Sequence, residues 1–367
     1  MTLTTSTVSI PPLGDGETDI MRGRHSRRRR RRQRTGLILL VVLALVLSSL
    51  AFVWFRLNSY AGDVKRLPAH EAFPAAAGRP AKPVVAEGSL TFLLVGSDRR
   101  AEGQTTGENA TGPAFRYGAQ RTDTIMLVHL SRKRDKAYAV SLPRDSWVNV
   151  PGNGMAKINA GYSWGGPPLL IETIEGLSKV RIDHLAIIDF EGFRSMTSAL
   201  GGVDVKVRET TTDPRSGRTF VAGRNHLEGQ AALDFVRQRY GLPRGDLDRV
   251  ERQQRFMKAL LSKAIDGSTL TNPLKLDDFL GAATSAATVD ENLDNGEMRS
   301  LALSLRKLHA RDMAFMTAPV SGFGREGEQS VVYLDPAKTK EMFKAMRRDT
   351  MDAYVATHKD SIAWAGR

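Results

Sequence analysis

LTFLLV, residues 90–95, is a short, mostly apolar run that stops at Gly96, as a strand buried on both faces does. Two more runs follow, TIMLVHL at 124–130 and AYAVSL at 137–142. The polar turn SRKRDK between them makes an antiparallel hairpin the expected pairing. Further along, a helix is expected over Pro168–Leu177, a strand at His184–Ile188, a helix over Phe190–Leu200 stopped by Gly201-Gly202, and a half-exposed strand, VDVKV, at 203–207. The spacing then predicts a helix over Gly229–Gln238 with Ala232, Leu233 and Val236 inward. Another starts near Asp248, with Val250, Met257, Leu260 and Leu261 on its buried side. Helical patterns around Met298–Leu308 and Pro336–Met346 flank a last strand, AFMTAPV. Strands alternating with helices predict an α/β fold: a single αβα-layered domain with a central mixed β-sheet and no internal repeat.

Upstream, the nineteen residues Leu37–Phe55 (LILLVVLALVLSSLAFVWF) carry no charge and follow an arginine block, Arg27–Arg32 plus Arg34. As a helix such a stretch spans roughly 28 Å, one bilayer core. The run exceeds the apolar core of a signal peptide, and Ser49-Leu50-Ala51 is a weak cleavage site buried inside it, so a retained transmembrane helix is expected. Basic residues beside a membrane helix stay cytoplasmic. The expected organisation is therefore a disordered basic cytoplasmic arm (1–36), a single membrane span (37–55), an extracytoplasmic linker rich in proline and alanine (56–88) and an extracytoplasmic folded domain (89–367).

Composition narrows the chemistry. Of the net charge of +13, residues 1–55 contribute +6 through nine arginines and three acids, which leaves a mildly basic remainder with no second basic block. No nucleic-acid partner is expected. There are no cysteines, and the histidines at 25, 70, 129, 184, 226, 309 and 358 stand apart, so disulfides and a zinc site are not expected. Any metal should be a hard ion on carboxylates.

Polar clusters sit at the ends of the expected strands, where α/β sheets place their sites: GSDRR at 96–100, RTDT at 121–124 and PRD at 143–145. Asp98 and Asp123 can offer oxygen to magnesium, which takes one or two carboxylates and completes its shell with water and phosphate. Arg237-Gln238-Arg239, then Arg249 with Gln253 one turn beyond, add guanidinium forks suited to phosphate, with Asp246 and Asp248 among them. Taken singly, such motifs are most simply turns, solvated faces and surface ion pairs.

Their order is far more specific. VGSDRR (95–100), RTDTIMLVHL (121–130), VSLPRDSWVNVPG (140–152), KINAGYSWGG (157–166), IDHLAIIDFEGF (182–193), ALGGVDV (199–205) and FVRQRYGLPRGDLDRVERQQRF (235–256) resemble, in sequence and spacing, the LytR-CpsA-Psr family of cell-wall glycopolymer transferases. The likeness is detailed over Ser89–Ala264 and looser to the C-terminus. It implies that Asp98 and Asp123 engage Mg²⁺ (or Mn²⁺). It further implies that Arg144, Arg237, Arg239 and Arg249 grip a pyrophosphate, and that Arg121, Asp246 and Gln253 line the same pocket. The long polar insertion Ala101–Gln120 between the two aspartates departs from the family pattern.

The implied reaction is transfer of an anionic glycopolymer from a polyprenyl pyrophosphate carrier to a peptidoglycan hydroxyl, with the lipid tail between sheet and helices. Asp98 or Asp123 would serve as base if not committed to metal. Three other readings compete: a pyrophosphatase using water in place of the sugar hydroxyl, a membrane-tethered protein that binds wall polymer without turnover, and a transcriptional regulator. The last is disfavoured by the expected topology and by the lack of a basic helix-turn-helix pattern.

Overall fold

In the computed structural model of the chain, the described residues are 64–97, 122–243, 245–264, 281, 285–305, 308–358 and 363–364. The chain divides after Leu57, and all of these belong to the second unit. The basic arm, the apolar segment 37–55, Asp98 and Arg121 lie outside the described residues. Among the described residues no helix is long and apolar enough to cross a membrane.

The elements run β1 (Lys65–Leu67), α1 (Ala69–Ala72), β2 (Leu90–Ser97), β3 (Thr122–Leu130), β4 (Ala137–Ser141), the hairpin β5 (Trp147–Val150) and β6 (Gly154–Lys157), α2 (Ile158–Ser178), β7 (His184–Ile188) and α3 (Phe190–Ala199). Then come β8 (Val203–Val207), β9 (Thr211–Thr212), β10 (Thr219–Phe220), β11 (Gly223–Leu227), α4 (Gly229–Arg237) and α5 (Asp246–Ala264). The chain continues through β12 (Ala287–Asp290), α6 (Asn295–Ser304), β13 (Met313–Thr317), the hairpin β14 (Val320–Glu326) and β15 (Gln329–Leu334), α7 (Pro336–Arg347), α8 (Met351–Thr357) and β16 (Ala363–Trp364).

Eight strands form one mixed sheet in the order β1-β12-β7-β2-β3-β4-β13-β16. The expected hairpin is present, with β3 and β4 antiparallel, while β2 runs parallel to β7 and β4 to β13. β2 shows why its sequence is apolar on both sides. Leu93 and Val95 enter a core shared with α2, α7 and α8, whereas Leu90, Phe92 and Leu94 face the side covered by α5 and α6. The sheet is thus the middle of an αβα sandwich. Full burial of a side chain such as Ile174 or Phe343 contributes about 1.5–3 kcal/mol. A third cluster, Val203, Val205, Leu227, Ala232, Phe235 and Phe256, packs α4 and α5 against the β8–β11 hairpin.

α2 begins ten residues before the expected helix. Its first half hides in KINAGYSWGG, and it breaks at Gly166 (φ 67°, ψ −157°) before Pro167-Pro168. The linker expected over 56–88 is also corrected from Val64 onward. Lys65–Leu67 pairs with β12 at the sheet edge, and Ala72, Phe73 and Ala86 are buried. Arg79 forms a two-nitrogen bond to Glu175 of α2 (Nη2 to Oε1, 2.7 Å) and stacks over Phe73. Prolines made this segment read as a spacer, yet they only break helices; apolar anchors between them hold it down.

Near the C-terminal end of the central strand β3, buried His129 reaches Thr91 Oγ1 (3.0 Å) through Nδ1 and Asp349 Oδ1 (3.1 Å) through Nε2. Burial pushes the Asp349 carboxyl up, but the bond from His129 and the Arg132 N–H outweigh it and hold its pKa below the ordinary value. A depressed carboxylate stabilises the fold above its unfolded pKa, and that contribution is lost as pH falls through the folded pKa. Asp349→Asn keeps a residue that tolerates the left-handed backbone here (φ 55°). It is expected to lower stability at pH 7 by about 1–3 kcal/mol and to flatten the loss below about pH 4. Urea melts between pH 2 and 7 check both.

Candidate functional site

β2, β4, β7 and β13 all end on one edge of the sheet, and the polar strand ends gather there. Gly96 pairs with Thr124 but Ser97 pairs with Thr122, which makes Asp123 the extra residue of a β-bulge. A bulge re-aims a side chain out of the regular alternation. Asp123 and Thr124 both line a cavity roofed by α3, α4 and α5.

The cavity is apolar inside and polar at the strand ends. Leu94, Met126 and Ala186 form one row across the sheet, and Gly96, Thr124 and Ile188 form the next row outward. Phe190, Phe193, Met196, Leu233, Val236, Phe256 and Met257 come from the roof. Asp189 starts α3 by accepting the Gly192 N–H at 2.8 Å, as an N-cap does. A β-carbon at Gly192 would stand 2.6 Å from the Ala286 carbonyl oxygen, so only glycine allows this approach.

The charged groups stand at the outer row. Arg237, in the last turn of α4, lies 4.0 Å over the Phe190 ring. Arg249 is 3 % exposed, and Gln253, on the same face of α5, donates to the Val236 carbonyl at 3.2 Å. Arg144 Nη1 donates to Asp123 Oδ1, and Arg144 Nε lies 3.5 Å from Asp145, which also meets Lys157 Nζ at 3.1 Å. Among the described residues Arg144, Arg237 and Arg249 bring guanidinium forks to the mouth, a donor set that suits phosphate geometry.

Asp123, Arg144, Arg237, Arg249 and Gln253 are therefore brought together. Arg239 does not line the cavity, because the chain leaves the helix at Gln238 (φ −57°, ψ 126°). Asp246 opens α5, and its side chain lies outside the described residues, as do Asp98 and Arg121. Among the lining residues, sequence reasoning passed over Asp189. Asp189 carried a legible signal, a cap residue between an apolar strand and a helical pattern.

Among the described residues no three histidines, aspartates or glutamates converge on a metal site. A magnesium ion needs only one or two protein carboxylates when phosphate supplies the rest, so Asp123 at the mouth fits such an ion.

An αβα sandwich thus holds a cavity that is apolar within and bears guanidiniums at its mouth. A profile of the LytR_cpsA_psr family matches residues 50–348, and the chain belongs to that family. It is 38 % identical over 268 residues to LcpB of Corynebacterium glutamicum, a probable cell wall biosynthesis protein, covering 73 % of this chain and 63 % of LcpB. The polyisoprenyl-teichoic acid–peptidoglycan teichoic acid transferase TagU of Oceanobacillus iheyensis is 28 % identical over 286 residues, covering 76 % and 82 %. The chain spans less than two thirds of LcpB. The crystal structure of Bacillus subtilis TagV shares the fold, with a TM-score of 0.58 at 22 % identity over 72 % of this chain and 98 % of TagV.

Proposed function

We propose that the chain is a membrane-anchored phosphotransferase. It moves an anionic glycopolymer from a polyprenyl pyrophosphate carrier onto a peptidoglycan hydroxyl, outside the cytoplasm. One observation carries the reading: a single cavity joins an apolar interior to a mouth bearing Asp123, Arg237, Arg249 and Gln253. That division matches a molecule with a hydrocarbon tail and a pyrophosphate head. The name of TagU supports a transfer to peptidoglycan, and that of LcpB a role in cell wall biosynthesis.

In the proposed step the acceptor oxygen attacks the glycan-bearing phosphorus, the bond to the carrier phosphate breaks, and polyprenyl phosphate leaves. Such chemistry asks the protein chiefly for positioning and charge stabilisation. Arg237, Arg249 and Arg144 offset the charge on the phosphoryl oxygens and the leaving phosphate. Arg239 completes the cage if it turns inward on the bound carrier. Asp123, with Asp98, would hold Mg²⁺, which when bound would add further positive charge beside the phosphates. A carboxylate not committed to the ion, Asp98 or Asp123, takes the acceptor proton. Arg121 and Asp246 would border the same head group.

The test incubates the purified full-length chain with a synthetic polyprenyl pyrophosphate glycan and peptidoglycan oligomers, with Mg²⁺ or with chelator, and reads products by mass spectrometry. Metal-dependent glycan-linked oligomer is the expected result. Free phosphoglycan alone would make the protein a pyrophosphatase, and lipid binding without either product would make it a tethered binding protein.

A further inference from the structure

A buried guanidinium of α5 lies outside the cavity. Arg252 is 6 % exposed, its Nη1 donates to Gln238 Oε1 and its Nη2 to Thr211 Oγ1, each at 2.5 Å, and its Cζ sits 4.7 Å over the Phe235 ring and 5.4 Å over Phe220. Gln238 is 1 % exposed and stands between Arg237 and Arg239. Its own amide nitrogen donates onward to the Tyr240 carbonyl at 3.1 Å. The turn closes at Gly241 (φ +73°), where a β-carbon would stand 2.7 Å from the Thr212 carbonyl oxygen. The segment RQRYG is thus held between α5 and the β9 strand.

Resting on the phosphotransfer reading above, we propose that Arg252 is a positioning residue: through Gln238 it fixes where Arg237 stands at the cavity mouth. A purely structural residue between two phenylalanine rings would cost less as an aliphatic side chain, because burying a charge against neutral partners is unfavourable. Among the described residues Arg252 has no carboxylate in ion-pair contact; its two bonds go to an amide and a hydroxyl. Burial, aided by neighbouring Arg255 and opposed by the more distant Asp248 and Asp213, pulls its pKa down to about 10, so it remains charged at neutral pH. What the guanidinium supplies is a rigid fork that pins one side-chain amide. α5 then serves both arms of the site, presenting Arg249 and Gln253 to the cavity and Arg252 to the turn that follows Arg237.

The test measures kcat and KM for transfer, affinity for geranylgeranyl pyrophosphate, and thermal melting, on full-length wild type, Arg252→Met, Gln238→Leu and Gln238→Glu. Arg252→Met and Gln238→Leu are expected to lower kcat by about 10²-fold, the scale of a small misplacement of a positioned group, while the chain stays folded at the assay temperature. Gln238→Glu keeps the acceptor for Arg252 but gives up the donor to the Tyr240 carbonyl, and is expected to recover kcat to within about tenfold of wild type. Unchanged kcat in Gln238→Leu overturns the proposal alone. So does an activity loss that matches the unfolded fraction, or a Gln238→Glu chain as inactive as Gln238→Leu. A wild-type chain that neither transfers nor hydrolyses the carrier overturns the phosphotransfer reading and this proposal with it.

Discussion

Arg237→Ala is expected to lower glycopolymer transfer by about 10²–10³-fold, the loss seen when one preorganised stabiliser of transition-state charge is removed. The fold should survive. Arg237 is half-buried at the end of α4, and beyond its stacking on Phe190 it fills no core position. Losing that stacking costs about 0.5–1 kcal/mol at a partly exposed site, a fall in Tm of a few degrees for a domain of this size. Steady-state transfer rates set beside a circular-dichroism melt separate the two effects. A variant with wild-type kcat would remove Arg237 from the proposed pyrophosphate cage.

Arg79→Ala is expected to do the reverse, unfolding the chain without touching the site. Glu175 is 3 % exposed, accepts from Arg79 and from the Ile182 N–H (2.9 Å), and loses its only charged partner among the described residues. Breaking a buried pair by removing one member costs about 3–5 kcal/mol, equivalent to roughly 10 °C or more in Tm. Replacing both, as Arg79→Met with Glu175→Leu, should recover much of the loss, since no unpaired charge is then left in the core. The same geometry bears on where the domain begins. A chain cut at Ser89 lacks β1, Phe73 and Arg79 together, and is expected to express as insoluble protein where one starting at Asn58 is soluble.

The central strands were legible because they are covered on both faces: Leu90–Val95 and His184–Ile188 have apolar residues for each side, and only a sandwich provides two such sides. β1 was not legible. Its three residues show no period, and its partner β12 lies more than 200 residues away in sequence. The first half of α2 was masked by glycines that the break at Gly166 explains in part. Within the site, the Arg249–Gln253 spacing placed both on one helical face, as found. Asp123 stood in a recognisable motif, but the bulge that turns it into the cavity depends on its pairing with β2. Arg239 was grouped with Arg237 by proximity in sequence; the end of α4 between them sends the two apart. Arg252 was not legible, because its burial arises from β9 and the RQRYG turn folding over it.

Transfer and hydrolysis differ in where the new oxygen comes from. Running the full-length chain with polyprenyl pyrophosphate glycan and peptidoglycan oligomers in heavy-oxygen water, and weighing both products, decides between them. Transfer gives a phosphodiester between glycan and peptidoglycan and a polyprenyl phosphate, neither carrying solvent oxygen. Heavy oxygen in the released phosphoglycan, with no linked oligomer, would contradict the transferase account.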